Sequence, residues 1–214
     1  MKKYLLPLLA GMFLVSIAAC SPDDEPETGP GTPSTETPAL PDDPDTSGED
    51  STAVGGSSKT LVAYFSWGGT TQRMAQEIVR QTGADIFRIE PVNPYPTEYT
   101  PCTEVAREEK DADARPEILN AVENWNSYDT VFIGCPVWWW TTPMIICTFA
   151  ESYDFHGKTV VPFCTYAATY RDETLARIVE LTPDAQHLTG EGLTSGRINA
   201  ETIGAWLRNI GVME

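Results

Sequence analysis

The sequence predicts an α/β domain over residues 59–214, a parallel sheet with helices packed on both faces. Three observations carry that expectation. Short apolar runs alternate with helical patterns along the stretch, five of each, as in doubly wound sheets. Runs such as Thr130-Val-Phe-Ile-Gly134 are apolar almost without a break, the composition of strands covered on both sides. The loops richest in unusual residues follow the first, third and fourth runs. In open α/β sheets ligands bind there, outside the carboxyl ends of the strands where the winding reverses.

The first element is Thr60-Leu-Val-Ala-Tyr-Phe65, a five- to six-residue apolar run that reads as a buried strand. Ser66-Trp67-Gly68-Gly69-Thr70-Thr71 follows it, and residues 72–80 place Met74, Ala75, Ile78 and Val79 at helical spacing. A strand that enters a helix through a small, hydroxyl-rich turn makes a phosphate cradle. The first helical N–H groups lack partners, and the helix dipole favours an anion there. Gly, Ser and Thr also suit such a turn without a ligand. Neither the Walker A pattern nor Gly-x-Gly-x-x-Gly is present.

Gly83 stops the helix, and residues 85–90 form a second short strand. Pro91-Val-Asn-Pro-Tyr-Pro96 excludes helix. A polar surface helix is expected over residues 103–114, ended by Arg115-Pro116, with Ile118, Val122 and Trp125 as apolar anchors beyond it. The third strand, 130–134, opens into Cys135-Pro136-Val137-Trp138-Trp139-Trp140. Three consecutive indoles cannot all face one core, so this loop reads as a stacking surface for a flat ring, or else one or two indoles cap the core and the third is exposed. A helix over 144–153, a strand over 159–164 and the loop Thr165-Tyr166-Ala167-Ala168-Thr169-Tyr170 follow. A helix over 172–181, a weak last strand over 186–190 and a final helix through Ile210 complete the domain. Asn199 is placed to cap that helix and Gly211 to end it.

The remainder of the chain reads differently. Residues 1–19 have a basic start, Lys2 and Lys3, and then an apolar run too short for a transmembrane helix, the pattern of a secretory signal. Ile17-Ala18-Ala19-Cys20 resembles the lipobox of bacterial lipoproteins. That resemblance implies lipidation of Cys20 and a membrane anchor in the cell envelope, periplasmic or surface-exposed. Residues 20–58 carry ten acids, no base and no aromatic residue, and are expected to form a disordered tether. The whole chain has a net charge of −17, and residues 59–214 keep 21 acids against 12 bases. So acidic a domain is unsuited to nucleic acid or anionic lipid.

Cys102, Cys135, Cys147 and Cys164 show no Cys-x-x-Cys or metal-site spacing and read as buried thiols packing as small hydrophobes. Only His156 and His187 are available as bases, and no Gly-x-Ser-x-Gly elbow exists, which argues against a hydrolase.

Taken together these motifs resemble the flavodoxin-like proteins, in particular a bacterial branch whose members often carry lipoprotein signals. Ser66 to Thr71 stands where that family has its first, phosphate-binding loop. Glu90-Pro91-Val-Asn-Pro-Tyr95-Pro96 is similar to the branch's Pro-Tyr-Pro signature, and Gly134-Cys-Pro136-Val-Trp138-Trp139 to its second flavin loop. Residues 153–165 match the strand leading to the third.

The resemblance implies a five-stranded sheet of order 2-1-3-4-5, FMN as cofactor, and electron transfer to an unknown redox partner or to small acceptors such as quinones. The flavin contacts it implies are Ser66, Trp67, Gly68, Gly69, Thr70 and Thr71, then Pro136, Val137, Trp138 and Trp139, then Cys164, Thr165, Tyr166 and Ala167. Three departures stand out. Gly68 lacks the hydroxyl expected in the first loop, Thr70 replaces the usual Asn, and the third loop lacks glycines. Each lost hydrogen bond weakens binding by about 0.5–1.5 kcal/mol. The alternative these departures leave open is a flavodoxin-shaped binding module without redox activity.

Overall fold

The computed structural model describes residues 59–214. The expected signal, the lipidated Cys20 and the tether lie outside the described residues. The sheet runs in the order β2-β1-β3-β4-β5, and every strand pair in it is parallel. Its strands are β1 (Thr60–Tyr64), β2 (Asp85–Arg88), β3 (Thr130–Pro136), β4 (Thr159–Thr165) and β5 (Gln186–His187), with β6 (Glu191–Leu193) also on the outer edge of β4. The helices are α1 (Thr70–Thr82), α2 (Tyr99–Asp111), α3 (Met144–Glu151), α4 (Arg171–Leu181) and α5 (Ala200–Asn209).

Alternation along the strands builds two cores. Leu61, Ala63, Val131, Ile133, Cys135 and Val160 face α3 and α4, where Ile145, Ile146, Phe149 and Ile178 are buried. Val62, Tyr64, Phe132, Val161 and Phe163 face α1 and α5, meeting Met74, Ala75, Ile78, Ile203, Trp206 and Leu207. Both faces being covered is the reason these strands are apolar throughout. Asn199 caps α5 by accepting from the Thr202 N–H at 2.9 Å. Gly83 ends α1 at φ 69°, a left-handed conformation that glycine adopts without strain.

Two elements differ from expectation. The last strand is longer and broken: β5 and β6 are separated by Leu188–Gly190. Pro162 of β4 explains the break. Val160 accepts from Leu188 at 3.1 Å, so residues of that parity in β4 turn their backbone toward the outer strand. Pro162 shares that parity and has no N–H to give. Gly190 fills the space, since a Cβ there would lie 2.6 Å from the Pro162 carbonyl. The second difference is α2, which begins at Tyr99 rather than at residue 103. It buries only Cys102 and Ala106, too faint a stripe to mark its start.

Candidate functional site

Going from β1 to β2 the chain moves outward along the sheet, and from β2 to β3 it crosses to the other side of β1. The loops after β1 and β3 therefore leave the sheet in opposite directions and open a cleft between them. The loop after β1 holds Ser66 almost fully buried with its Oγ unpartnered. Gly69 precedes α1 in a left-handed conformation, φ 81°, and Arg73 N–H is the first to bond back, to the Gly69 carbonyl at 3.1 Å. Among the described residues, the N–H groups of residues 67–72 have no hydrogen-bond partner. A Cβ on Gly68 or Gly69 would meet nothing within 4 Å, so this backbone is open to an approaching group.

Two contacts fix the loop's surroundings. Thr71 Oγ1 and Thr165 Oγ1 share a buried hydrogen bond of 2.7 Å, joining α1 to the end of β4. The Arg73 guanidinium donates to the Ser195 carbonyl at 3.1 Å and lies 3.4 Å from its hydroxyl, tying α1 to the loop after β6. Ser66, Gly68, Thr70, Thr71 and Thr165 line a cavity of about 580 Å³ whose far wall is Thr194, Ser195 and Gly196. That far wall belongs to a loop not among the contacts expected from the sequence. Its signal was Thr194-Ser195-Gly196 itself, a turn-forming run at the end of the outer edge strand.

A second cavity of about 570 Å³ shares Trp67, Tyr99, Val137, Trp138 and Ala167 with the first. Its walls are α2 (Cys102, Thr103, Ala106), the tryptophan loop and residues 167–170. Both volumes are in the range of small-molecule sites. In the tryptophan loop, Trp138 and Thr141 exchange two backbone hydrogen bonds of 3.0 Å, with Trp139 at φ 44° and Trp140 at φ 73° between them. The result is a tight turn with both central residues left-handed, the kind that glycine and asparagine normally supply.

The three indoles part company. Trp138 turns inward, edge-on to Phe65 (5.2 Å between centroids) and Tyr95 (5.0 Å). Trp139 donates from Nε1 to the Thr103 carbonyl of α2 at 2.8 Å. Trp140 stays more than half exposed. Trp67 donates to the Pro96 carbonyl at 2.8 Å, and Tyr95 donates to Glu109 at 2.7 Å. The Pro-Tyr-Pro segment and α2 are thus pinned over the cleft. Burial, and then the Glu109 carboxylate, push the Tyr95 hydroxyl far above its ordinary range. A third pocket of about 430 Å³ lies across Trp67, lined by Arg88, Glu90, Pro91 and Pro94 among others.

Of the expected contacts, Ser66, Trp67, Gly68, Thr70, Thr71, Pro136, Val137, Trp138, Trp139, Thr165, Tyr166 and Ala167 line one or both adjoining cavities. Gly69 shapes the loop from behind. Cys164 is not brought to the cleft: it is fully buried, with Sγ toward the Arg171 carbonyl at 3.8 Å. Strand alternation is the cause, since Thr165 faces α1 and its neighbour must face the other way. Burial pushes the Cys164 thiol up to about 12 and the Cys135 thiol well above its usual range. The four cysteines among the described residues are all buried and free, so none of these is a nucleophile in this arrangement. Among the described residues no cluster of His, Cys, Asp and Glu is arranged to hold a metal ion, and no helix is long and apolar enough to cross a membrane.

Fold and cleft define a doubly wound α/β protein with an anion-receptive loop beside an aromatic cavity at its switch point. The family model for flavodoxin matches residues 59–210, and the chain belongs to that family. It is similar to the crystal structure of a protein described as a flavoprotein from Bacteroides eggerthii, with 36% identity and a TM-score of 0.63 over 72% of this chain and 98% of that one. A second such structure, from Bacteroides uniformis, is 32% identical with a TM-score of 0.63, covering 71% of this chain and 98% of that one. A flavoprotein from Lactobacillus acidophilus, solved in complex with FMN, shares the fold at 22% identity, with a TM-score of 0.58 over 64% of this chain and 93% of that one. No curated protein gives a significant match.

Proposed function

We propose that this protein is an FMN-binding redox protein, anchored in the cell envelope through Cys20, that transfers electrons or reduces small acceptors such as quinones. The observation that carries the reading is the pairing of N–H groups at residues 67–72 and the buried Ser66 hydroxyl, all without a partner among the described residues, with an adjoining aromatic cavity. Such donors are costly to leave unpaired, and a phosphate satisfies several at once.

In this reading the phosphate is held by the first loop's N–H groups with Ser66, Thr70 and Thr71. The flat ring lies between the tryptophan loop and residues 166–167. No cation need face the phosphate when enough amides do. When bound, the flavin supplies the one- or two-electron chemistry. The chain's own part is to hold it. The Thr71–Thr165 bond fixes the spacing of the first and third loops. Trp67, Tyr95 and Trp139 tie the Pro-Tyr-Pro segment and α2 across the cleft.

The test is direct. FMN-loaded protein is photoreduced under argon and mixed with 1,4-naphthoquinone. Return of the oxidised flavin spectrum in step with quinone added supports the reading, and a spectrum that stays bleached overturns it. The anchor is tested separately, by labelled palmitate incorporation that Cys20→Ala abolishes. A binding module without redox activity is the second reading, and Ala167-Ala168-Thr169 favours it, since glycines there would let the backbone approach a ring more closely.

A further inference from the structure

Trp140 lines the second cavity together with Tyr170, but no contact there explains its backbone. A tryptophan at φ 73° costs roughly what the left-handed region costs any side chain with a Cβ, and such strain persists where the surrounding structure or a ligand requires it. Burial would account for it, but Trp140 is 56% exposed. A hydrogen bond would account for it, but among the described residues the Trp140 indole N–H has no partner, whereas Trp139 and Trp67 are each anchored through theirs. Tyr170, at the end of the third loop, repeats the anomaly with φ 64° and 40% exposure. The two rings come from different loops and stand 6.0 Å apart, inclined by 42°. Lys110 of α2 completes the group, its Nζ 5.7 Å from the Trp140 centroid. Its only ion-pair partner among the described residues is its exposed neighbour Asp111 at 3.5 Å, a contact of little strength. The nearby Arg171 is different, being committed to Asp172 and Glu191.

We propose that Trp140, Tyr170 and Lys110 form a subsite at the mouth of the cleft for a flat aromatic molecule carrying a negative charge. The rings offer apolar face and edge to a planar partner. The ammonium selects an acidic substituent and disfavours a cationic one, in a domain otherwise rich in carboxylates. Naming this molecule as the electron acceptor, an aromatic acid of the quinone class, rests on the flavin reading, whereas the binding itself does not.

The probe is naphthalene-2-sulfonate, with 2-naphthylmethanol as its uncharged counterpart. Each is titrated into the purified protein, with and without saturating FMN, and followed through the indole N–H resonances in ¹⁵N-labelled samples. The sulfonate is expected to bind with a constant below about 1 mM, as its size allows. It should shift the Trp140 and Trp139 signals while leaving Trp125 and Trp206 in place, and it should do so with FMN present.

Lys110→Gln is expected to weaken the sulfonate about three- to tenfold and to leave both 2-naphthylmethanol and FMN affinity unchanged. Trp140→Gly is expected to abolish both naphthalene titrations. It should also raise the melting temperature, because glycine relieves the turn, and a folded, more stable variant excludes misfolding as the cause of the loss. The proposal is overturned if the sulfonate does not bind, if FMN displaces it, or if Lys110→Gln leaves its affinity unchanged. A protein that binds the sulfonate but takes up no FMN would retain the subsite and refute the flavin reading alone.

Discussion

Gly134 is the tightest point beneath the site, and replacing it tests how rigidly the sheet is packed there. It pairs with Phe163 across β3 and β4, and a Cβ at Gly134 would fall within the van der Waals envelope of the Phe163 ring. Phe163 is fully buried in the core formed with α1 and α5, so the ring has nowhere to go. Overpacking a filled core costs about 1–3 kcal/mol and occasionally more. Here the upper end is expected, because several ring atoms must move rather than one flexible tip. Against a total stability of about 5–15 kcal/mol, Gly134→Ala should move the urea midpoint clearly downward. Phe163→Leu alone removes ring atoms and leaves a partial void, at roughly 1–2 kcal/mol. In the double variant the clash is gone, so its loss should fall short of the sum of the two single losses by at least about 1 kcal/mol. Additive losses would refute the claim that the Phe163 ring occupies the space of the missing side chain.

Three further outcomes follow from other parts of the molecule. Asn199→Ala removes the side-chain acceptor of the Thr202 N–H and should cost about 1 kcal/mol in equilibrium unfolding, and an unchanged midpoint would mean the cap contributes nothing. Burial raises the Glu109 carboxyl above its ordinary value near 4.5, with the Tyr95 hydroxyl only partly opposing it. The folded state then binds more protons than the unfolded one, so stability falls as pH rises from that value through the folded one. Glu109→Gln keeps an acceptor for Tyr95 without the charge. It should melt higher than the parent at pH 7 and converge with it near pH 4, while a gap independent of pH would refute the assignment. Finally, adding electrons to a flavin in a domain with 21 acids and 12 bases is disfavoured. Its reduction potential should lie below that of free FMN, and a potentiometric titration giving a higher value would contradict this.

Much of the fold was legible because burial on both faces leaves a strong mark in sequence. Continuous apolar runs at β1, β3 and β4 and the helical spacing in α1 and α5 located those elements to within a few residues. The edge was harder. Pro162 held the information that the outer strand must break, but it lies in β4 while the break lies in its neighbour, so only the pairing reveals it. In the site, hydroxyl and glycine content identified the first loop, and the topology brought the other two to it. Cys164 was misplaced by proximity, since it adjoins Thr165 in the chain but faces the opposite side of the sheet. For Trp138, Trp139 and Trp140 a split between core and solvent was one reading of the run, but their individual fates were not legible. They depend on left-handed backbone at two tryptophans, which no propensity favours.

The most direct test of the central claim is an FMN titration of the purified protein, followed by quenching of flavin fluorescence, with riboflavin in parallel. A low-micromolar or tighter constant for FMN is predicted. It should fall at least about tenfold for riboflavin, which lacks the phosphate that the first loop's donors receive, and Ser66→Ala should narrow that difference. Absence of quenching up to millimolar FMN, or equal affinity for the two flavins, would contradict the assignment of this loop as a phosphate site.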